Sequence, residues 1–153
     1  MSSTSIQTSA PASVQRLPVA RPRLPDAQAL LPYLERIDSA RWYSNFGPLL
    51  TEFETRLEAR FRRPTGVATC VNGTQAITLA LTAMGVRQGG LCAMPAWTFA
   101  ATAHAAVQAG LVPWFLDVDP VTWMLDPAHV ARSLESAPGP VSAIVPVAAF
   151  GQV

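Results

Sequence analysis

A chain of 153 residues, half of them hydrophobic and 14% charged, is long enough for one ordinary domain with a real core. It is too apolar to be mainly disordered. Lys+Arg is 11 against 10 for Asp+Glu, a net charge of +1, which offers no electrostatic footprint for nucleic acid or an acidic membrane surface. Every basic residue is an arginine, and the chain has no lysine. No stretch of about 18 apolar residues is present, so no membrane span is expected.

The opening MSSTSIQTSAPASVQRLPVARPRLP carries Ser and Arg and no acid before Asp26, a composition shared with organellar transit peptides. Pro11, Pro18, Pro22 and Pro25 would break the amphipathic helix such a peptide needs. Residues 1–25 are therefore expected to form a flexible extension of a cytoplasmic protein, ahead of one domain over residues 26–153. Pro32 suits the first position of a short helix, LPYLERIDSA. An aromatic loop, RWYSNFGP, leads to a second helix, PLLTEFETRLEARF, with Leu50, Phe53, Leu57 and Phe61 on one side.

Beyond Pro64 the pattern changes to short apolar runs alternating with helical stretches. The runs are GVATCV, LCAMP, VPWFLDV and VSAIVPVAAF. Between them lie QAITLALTAMG, ending at Gly85, the alanine-rich TFAATAHAAVQAG, ending at Gly110, and DPAHVARSLES, with Asp126 as N-cap and Pro127 at its first position. The order β-α-β-α-β-α-β predicts an α/β fold, a mostly parallel sheet covered by helices on both faces.

Ligands of such sheets gather beyond the carboxyl ends of the strands, which selects three segments. Residues 72–74, NGT, join a run to a helix: Gly73 lets backbone approach a ligand, the first helical N–H groups favour an anion, and Thr74 adds a hydroxyl. Read alone, the same three residues make a tight turn with Thr74 capping the helix. In PAWTFAAT, Trp97 and Phe99 either stack on a planar ring or, as is more usual, fill the core. In LDVDP, Asp117 and Asp119 suit turns better than a metal. Cys70 and Cys92 sit in apolar stretches and read as reduced, buried, small residues. His104 and His129 stand alone, as surface or packed residues, and no metal site is expected. No catalytic Ser/His/Asp or Cys/His set can be assembled.

In order, WYSNFGPLLTEFETRL, VNGTQAITLAL, MPAWTFAATAHAAVQAG, WFLDVDPVTWMLDP and IVPVAAFGQV resemble the N-terminal part of the DegT/DnrJ/EryC1/StrS family. Its members are mostly pyridoxal-phosphate-dependent aminotransferases acting on nucleotide-linked keto sugars. The resemblance implies part of the large domain of the fold-type I aminotransferases, a homodimer, and pyridoxal 5′-phosphate as cofactor. It also implies an amino donor such as glutamate. By position, Gly73 and Thr74 would hold the cofactor phosphate and Phe99 would stack on its ring. Trp42 and Tyr43, in the aromatic loop, would face the substrate.

The family holds its cofactor covalently on a lysine, which also moves the proton, and an aspartate pairs with the ring nitrogen. Both belong to family sequence beyond Val153, so the resemblance places no catalytic residue here. It implies that these 153 residues alone do not transaminate. Two alternatives are a family member that dehydrates a sugar with the amine form of the cofactor and one that makes an aminated aromatic acid. A third is a non-catalytic remnant.

Overall fold

The computed structural model describes residues 20–61 and 66–151. Most of the expected flexible extension, residues 1–19, lies outside the described residues; residues 20–25 are non-helical and exposed. Two compact units result, one up to Phe53 and one from Glu54 onward.

In the first unit, helix α1 runs from Ala27 to Ala40, five residues earlier than the Pro32 start expected from the sequence. Asp26 is the reason: its carboxylate accepts the N–H of Ala29 at 2.8 Å, and a capped start stabilises the helix from that point. Pro32 is thus internal. Its missing N–H leaves a carbonyl one turn earlier without a helical donor, a cost that water can offset on a helix with no buried residue. Arg41 ends α1 in the left-handed conformation, with its N–H on the carbonyl of Ile37. The aromatic loop follows, and α2 spans Pro48–Glu58. Of its expected stripe, Leu50 and Leu57 are half-buried, Phe53 is exposed, and Phe61 lies past the helix end. Tight bonds from Arg60 to Leu57 and from Phe61 to Glu58 close that end.

The second unit is an α/β layer. Helix α3 (Gly73–Ala83) precedes strand β1 (Leu91–Pro95), and α4 (Ala100–Gln108) leads to β2 (Val112–Leu116). Helix α5 (Pro127–Glu135) then leads to β3 (Val141–Ile144). The sheet order is β2-β1-β3, parallel throughout. The chain therefore steps from β1 to β2 in one direction and from β2 back across β1 in the other. Helix α4 packs on β1 and β2 and against α3. Only the central strand reads as buried on both sides: Cys92, Ala93, Met94 and Pro95 are all buried, whereas β2 and β3, at the edges, are partly exposed. The core gathers Cys92 and Met94 with Leu81 of α3, Ala106 of α4, and Ala109 and Leu111 just beyond it.

Three expectations are corrected here. The first apolar run is not a strand: residues 66–70 take no regular secondary structure and make no ladder among the described residues. Val67 and Thr69 are half-buried while Gly66, Ala68 and Cys70 are exposed, the alternation of a strand without a neighbour. The N–H of Thr69 is donated to Glu54 instead. The last run pairs only through Val141–Ile144. Val145 still donates to Ala93, but Pro146 has no N–H with which to continue. Cys92 is fully buried, and burial raises its thiol above the usual range. Cys70, expected to be buried, is exposed.

Glu54 accepts both the N–H and the hydroxyl of Thr69 at 2.8 Å. These two bonds, the backbone one foremost, hold its carboxyl below the usual range. A carboxylate whose folded pKa is depressed stabilises the fold above its unfolded pKa, and that contribution is lost as pH falls through the folded value. Glu54→Gln is therefore expected to lower the melting temperature near pH 7. It is also expected to shrink the further loss on acidification below about pH 4. Thermal melts of both proteins across that range test this, and parallel melting-temperature curves would contradict it.

Candidate functional site

The carboxyl ends of the parallel strands point to three loops: 96–99 after β1, 117–126 after β2 and 145–151 after β3. A fourth element, the start of α3, follows the first apolar run.

At the start of α3, Asn72 and not Thr74 is the N-cap. Its side-chain oxygen accepts the N–H of Gln75 at 2.9 Å, and its carbonyl accepts from Ala76 at 3.0 Å. That corrects the turn-and-cap reading, and it has a consequence. With Asn72 occupying the cap, the N–H groups of Gly73 and Thr74 keep no bond among the described residues. The side chain of Thr74 is likewise not spent on capping. A methyl group added at Gly73 would meet no protein atom within 4 Å, and its φ is not positive. Neither packing nor backbone conformation therefore requires glycine there. A ligand that approaches the backbone closely would require it. The residues fit an anionic phosphate.

Phe99 is the last residue before α4. It holds extended backbone at the N-cap and is 82% exposed. Trp97, two residues earlier, is 50% exposed. Neither fills the core, which is the role such residues usually take. Trp97, Thr98 and Phe99 line a hollow of about 340 Å³ with residues 147–150 of the loop after β3. The loop is anchored by Thr98, whose hydroxyl lies 2.8 Å from that of Thr102 in the first turn of α4. An exposed phenyl face in an open hollow fits a planar ring.

The loop after β2 is a closed turn. The Asp119 carboxylate accepts the N–H of Thr122 at 2.7 Å, the Thr122 hydroxyl at 3.0 Å and the N–H of Val121 at 3.0 Å. Those donors, Thr122 first, hold it below the ordinary carboxylate range. Asp126 caps α5 through the N–H groups of Ala128 and His129. Both aspartates thus serve turns and caps, as the sequence suggests. His104 is exposed on α4, and His129 is half-buried on α5. Trp123 and Phe150, which no local pattern marks out, join Trp97 in an edge-to-face aromatic chain.

In the first unit, Trp42 and Tyr43 line a cleft of about 510 Å³ between α1, the aromatic loop and the start of α2. The indole N–H of Trp42 is donated to the carbonyl of Asn45 at 3.0 Å, which fixes the ring. Tyr43 is 70% exposed, with its hydroxyl 3.5 Å from Asp38. Arg36, on the wall of the same cleft, pairs with Glu52.

The second unit thus has a parallel sheet of the kind whose ligand sites lie beyond the carboxyl ends of the strands. Residues 26–153 match the DegT/DnrJ/EryC1/StrS aminotransferase family, and the chain belongs to that family. GDP-perosamine synthase of Caulobacter vibrioides is 37% identical over 139 residues, which are 90% of this chain and 36% of that protein. Among solved structures, DesI in the presence of its TDP-sugar product is similar with a TM-score of 0.70 at 41% identity, covering 87% of this chain and 32% of that one. NtdA of Bacillus subtilis with bound PMP is similar with a TM-score of 0.70 at 30% identity, covering 82% and 28%. A structure described as a putative PLP-dependent aminotransferase of Bacillus cereus is similar with a TM-score of 0.79 at 31% identity, covering 90% of this chain and 38% of that one, and the fold is accordingly part of that of the PLP-dependent aminotransferases. The chain spans about a third of the length of the relatives it matches.

Proposed function

We propose that this chain is the N-terminal part of a pyridoxal-phosphate-dependent aminotransferase acting on a nucleotide-linked keto sugar. The amino donor would be one such as glutamate, and the setting a cytoplasmic homodimer. The observation that carries the reading is Phe99, 82% exposed at the mouth of α4 where core packing would have hidden it. Supporting it are the N–H groups of Gly73 and Thr74, unbonded among the described residues, and relatives named for action on nucleotide sugars.

In this reading the N–H groups of Gly73 and Thr74, with the Thr74 hydroxyl, hold the cofactor phosphate at the positive end of α3. Phe99 stacks against the pyridine ring and keeps water from one of its faces. Trp42 and Tyr43 contact the sugar nucleotide. The cofactor, when bound, supplies an electron sink that makes exchange of an amino group possible. Nothing in these 153 residues supplies the side-chain amine that moves the proton, because every Lys/Arg position is arginine. By themselves they therefore bind and orient without transaminating.

The test uses the longest reading frame that contains these residues, purified with its cofactor. Thr74→Ala combined with Phe99→Ala is expected to weaken retention of pyridoxal phosphate by at least about tenfold, one charge-assisted bond and one stacking face being lost. Release of cofactor on dilution, followed by absorbance, measures it. Unchanged retention would remove the site assignment.

A further inference from the structure

Two of the described non-glycine residues with left-handed backbone, Trp123 (φ 62°) and Phe150 (φ 54°), touch each other. Such a conformation is a genuine outlier for a bulky aromatic residue, and it persists only where the surroundings over-determine it. For Trp123 the surroundings are visible. Its N–H is donated to the carbonyl of Asp119 at 2.8 Å, and the N–H of Asp119 returns to the carbonyl of Met124 at 2.9 Å. The three further bonds on the Asp119 carboxylate fill the turn between them. The turn can relax only by giving up several of these bonds together.

What the turn delivers is an indole at a particular place. Trp123 meets Trp97 edge-on, with centroids 4.9 Å apart and planes at 75°, and it meets Phe150 at 6.2 Å and 66°. Trp97 and Phe150 both line the hollow that Phe99 also lines, one from the loop after β1 and the other from the loop after β3. Trp123 itself is not part of that lining. It contacts both of those residues from the loop after β2. Phe150 is 81% exposed, so this aromatic chain is not assembled by core burial. Edge-to-face geometry, which is specific in distance and angle, ties the three loops together.

We propose that Trp123 is a positioning residue: braced by the turn at Asp119, it sets the separation of Trp97 and Phe150 and so the geometry in which a planar ring lies against Phe99. This rests on the assignment of Phe99 as the stacking residue.

The experiment uses the same full-length protein, with pyridoxal 5′-phosphate as the probe. Trp123→Ala, Trp123→Phe and Phe99→Ala are each measured for cofactor affinity, for the visible circular dichroism of the bound cofactor and for melting of the cofactor-free protein. Trp123→Ala is expected to lose about three- to tenfold in affinity. It should also weaken the visible dichroic band, which reports the asymmetric setting of the ring and is insensitive to stability alone. Trp123→Phe, which keeps an aromatic edge, should recover most of both. If Trp123→Ala proves unfolded, Trp97→Ala breaks the same contact from the other side and is read in the same way. Affinity and band unchanged in Trp123→Ala, with Phe99→Ala still impaired, would overturn the positioning role and leave the stacking assignment standing. No change in Phe99→Ala would instead overturn the stacking assignment, and the positioning role with it.

Discussion

Met94→Ala is expected to destabilise the fold by roughly 2–5 kcal/mol, the cost of removing a large buried side chain together with the cavity it leaves. Met94 is among the largest fully buried side chains, on the strand with neighbours on both sides. It lies in the cluster that joins β1 to α3 and α4 through Leu81, Ala106 and Leu111. The alanines around it offer little that could move into the space, so the site should collapse poorly and the cost should fall in the upper half of that range. A domain of ordinary stability, about 5–15 kcal/mol, would lose a large share of it. Met94→Leu keeps the volume and should cost less than about 1.5 kcal/mol. Denaturant titrations of the three proteins measure the difference: the midpoint should fall sharply for alanine and little for leucine, with slopes unchanged. Equal midpoints for Met94→Ala and the parent would mean that the layer between β1 and its helices is not the stabilising core.

The second-unit helices were readable because each carries its own punctuation. Gly85 and Gly110 close α3 and α4 with positive φ, and Asp126 with Pro127 opens α5. Local chemistry of that kind needs no knowledge of neighbours. The sheet was less readable because strand status is a property of pairs. Residues 66–70 have the right composition and the right alternation, yet among the described residues no strand lies beside them, and the N–H of Thr69 is donated to Glu54. Pro32 failed as a start signal for a related reason. A better cap, Asp26, lay one turn and a half upstream, and the proline was tolerated inside the exposed helix it was expected to begin.

The candidate site divides in the same way. Phe99 falls just beyond β1, where a strand-to-helix junction marks the carboxyl edge of a parallel sheet; Gly73 follows a run that forms no strand, and only the Asn-Gly-Thr chemistry singles it out. The braces behind them are not visible. Nothing in DPVTWM or VAAFGQ distinguishes an aromatic that packs inward from one held in left-handed backbone at the surface. Only the distances between Trp97, Trp123 and Phe150 bring the three loops together. Asn72 shows a subtler limit. The sequence permits either Asn72 or Thr74 to cap α3, and the choice decides whether Thr74 has a hydroxyl to offer a ligand.

The two helix-closing glycines should respond differently to the same substitution, by a margin the structure accounts for. Gly110 ends α4 in a paired arrangement: its N–H bonds to Val107 at 2.9 Å and that of Leu111 reaches back to Ala106 at 2.9 Å. Leu111 and Ala106 both belong to the core, the contact that commonly accompanies this closure. An alanine there takes the left-handed penalty of about 1–2 kcal/mol. In addition its methyl would overlap the side-chain oxygen of Gln88, displacing an amide that donates to the carbonyl of Ala109 at 3.0 Å. That bond contributes about 1 kcal/mol more. Gly85 has φ of +66° but no atom within 4 Å of the added methyl, so Gly85→Ala should carry the backbone penalty alone. Gly110→Ala is therefore expected to cost about 1 kcal/mol more than Gly85→Ala. In a Gln88→Ala background the difference should vanish, because the amide that the methyl displaces is already gone. A double-mutant cycle by denaturant titration measures this. A gap between the two glycines that survives removal of Gln88 would place the strain in the backbone of the α4–β2 turn itself, and the side-chain account of Gly110 would be wrong.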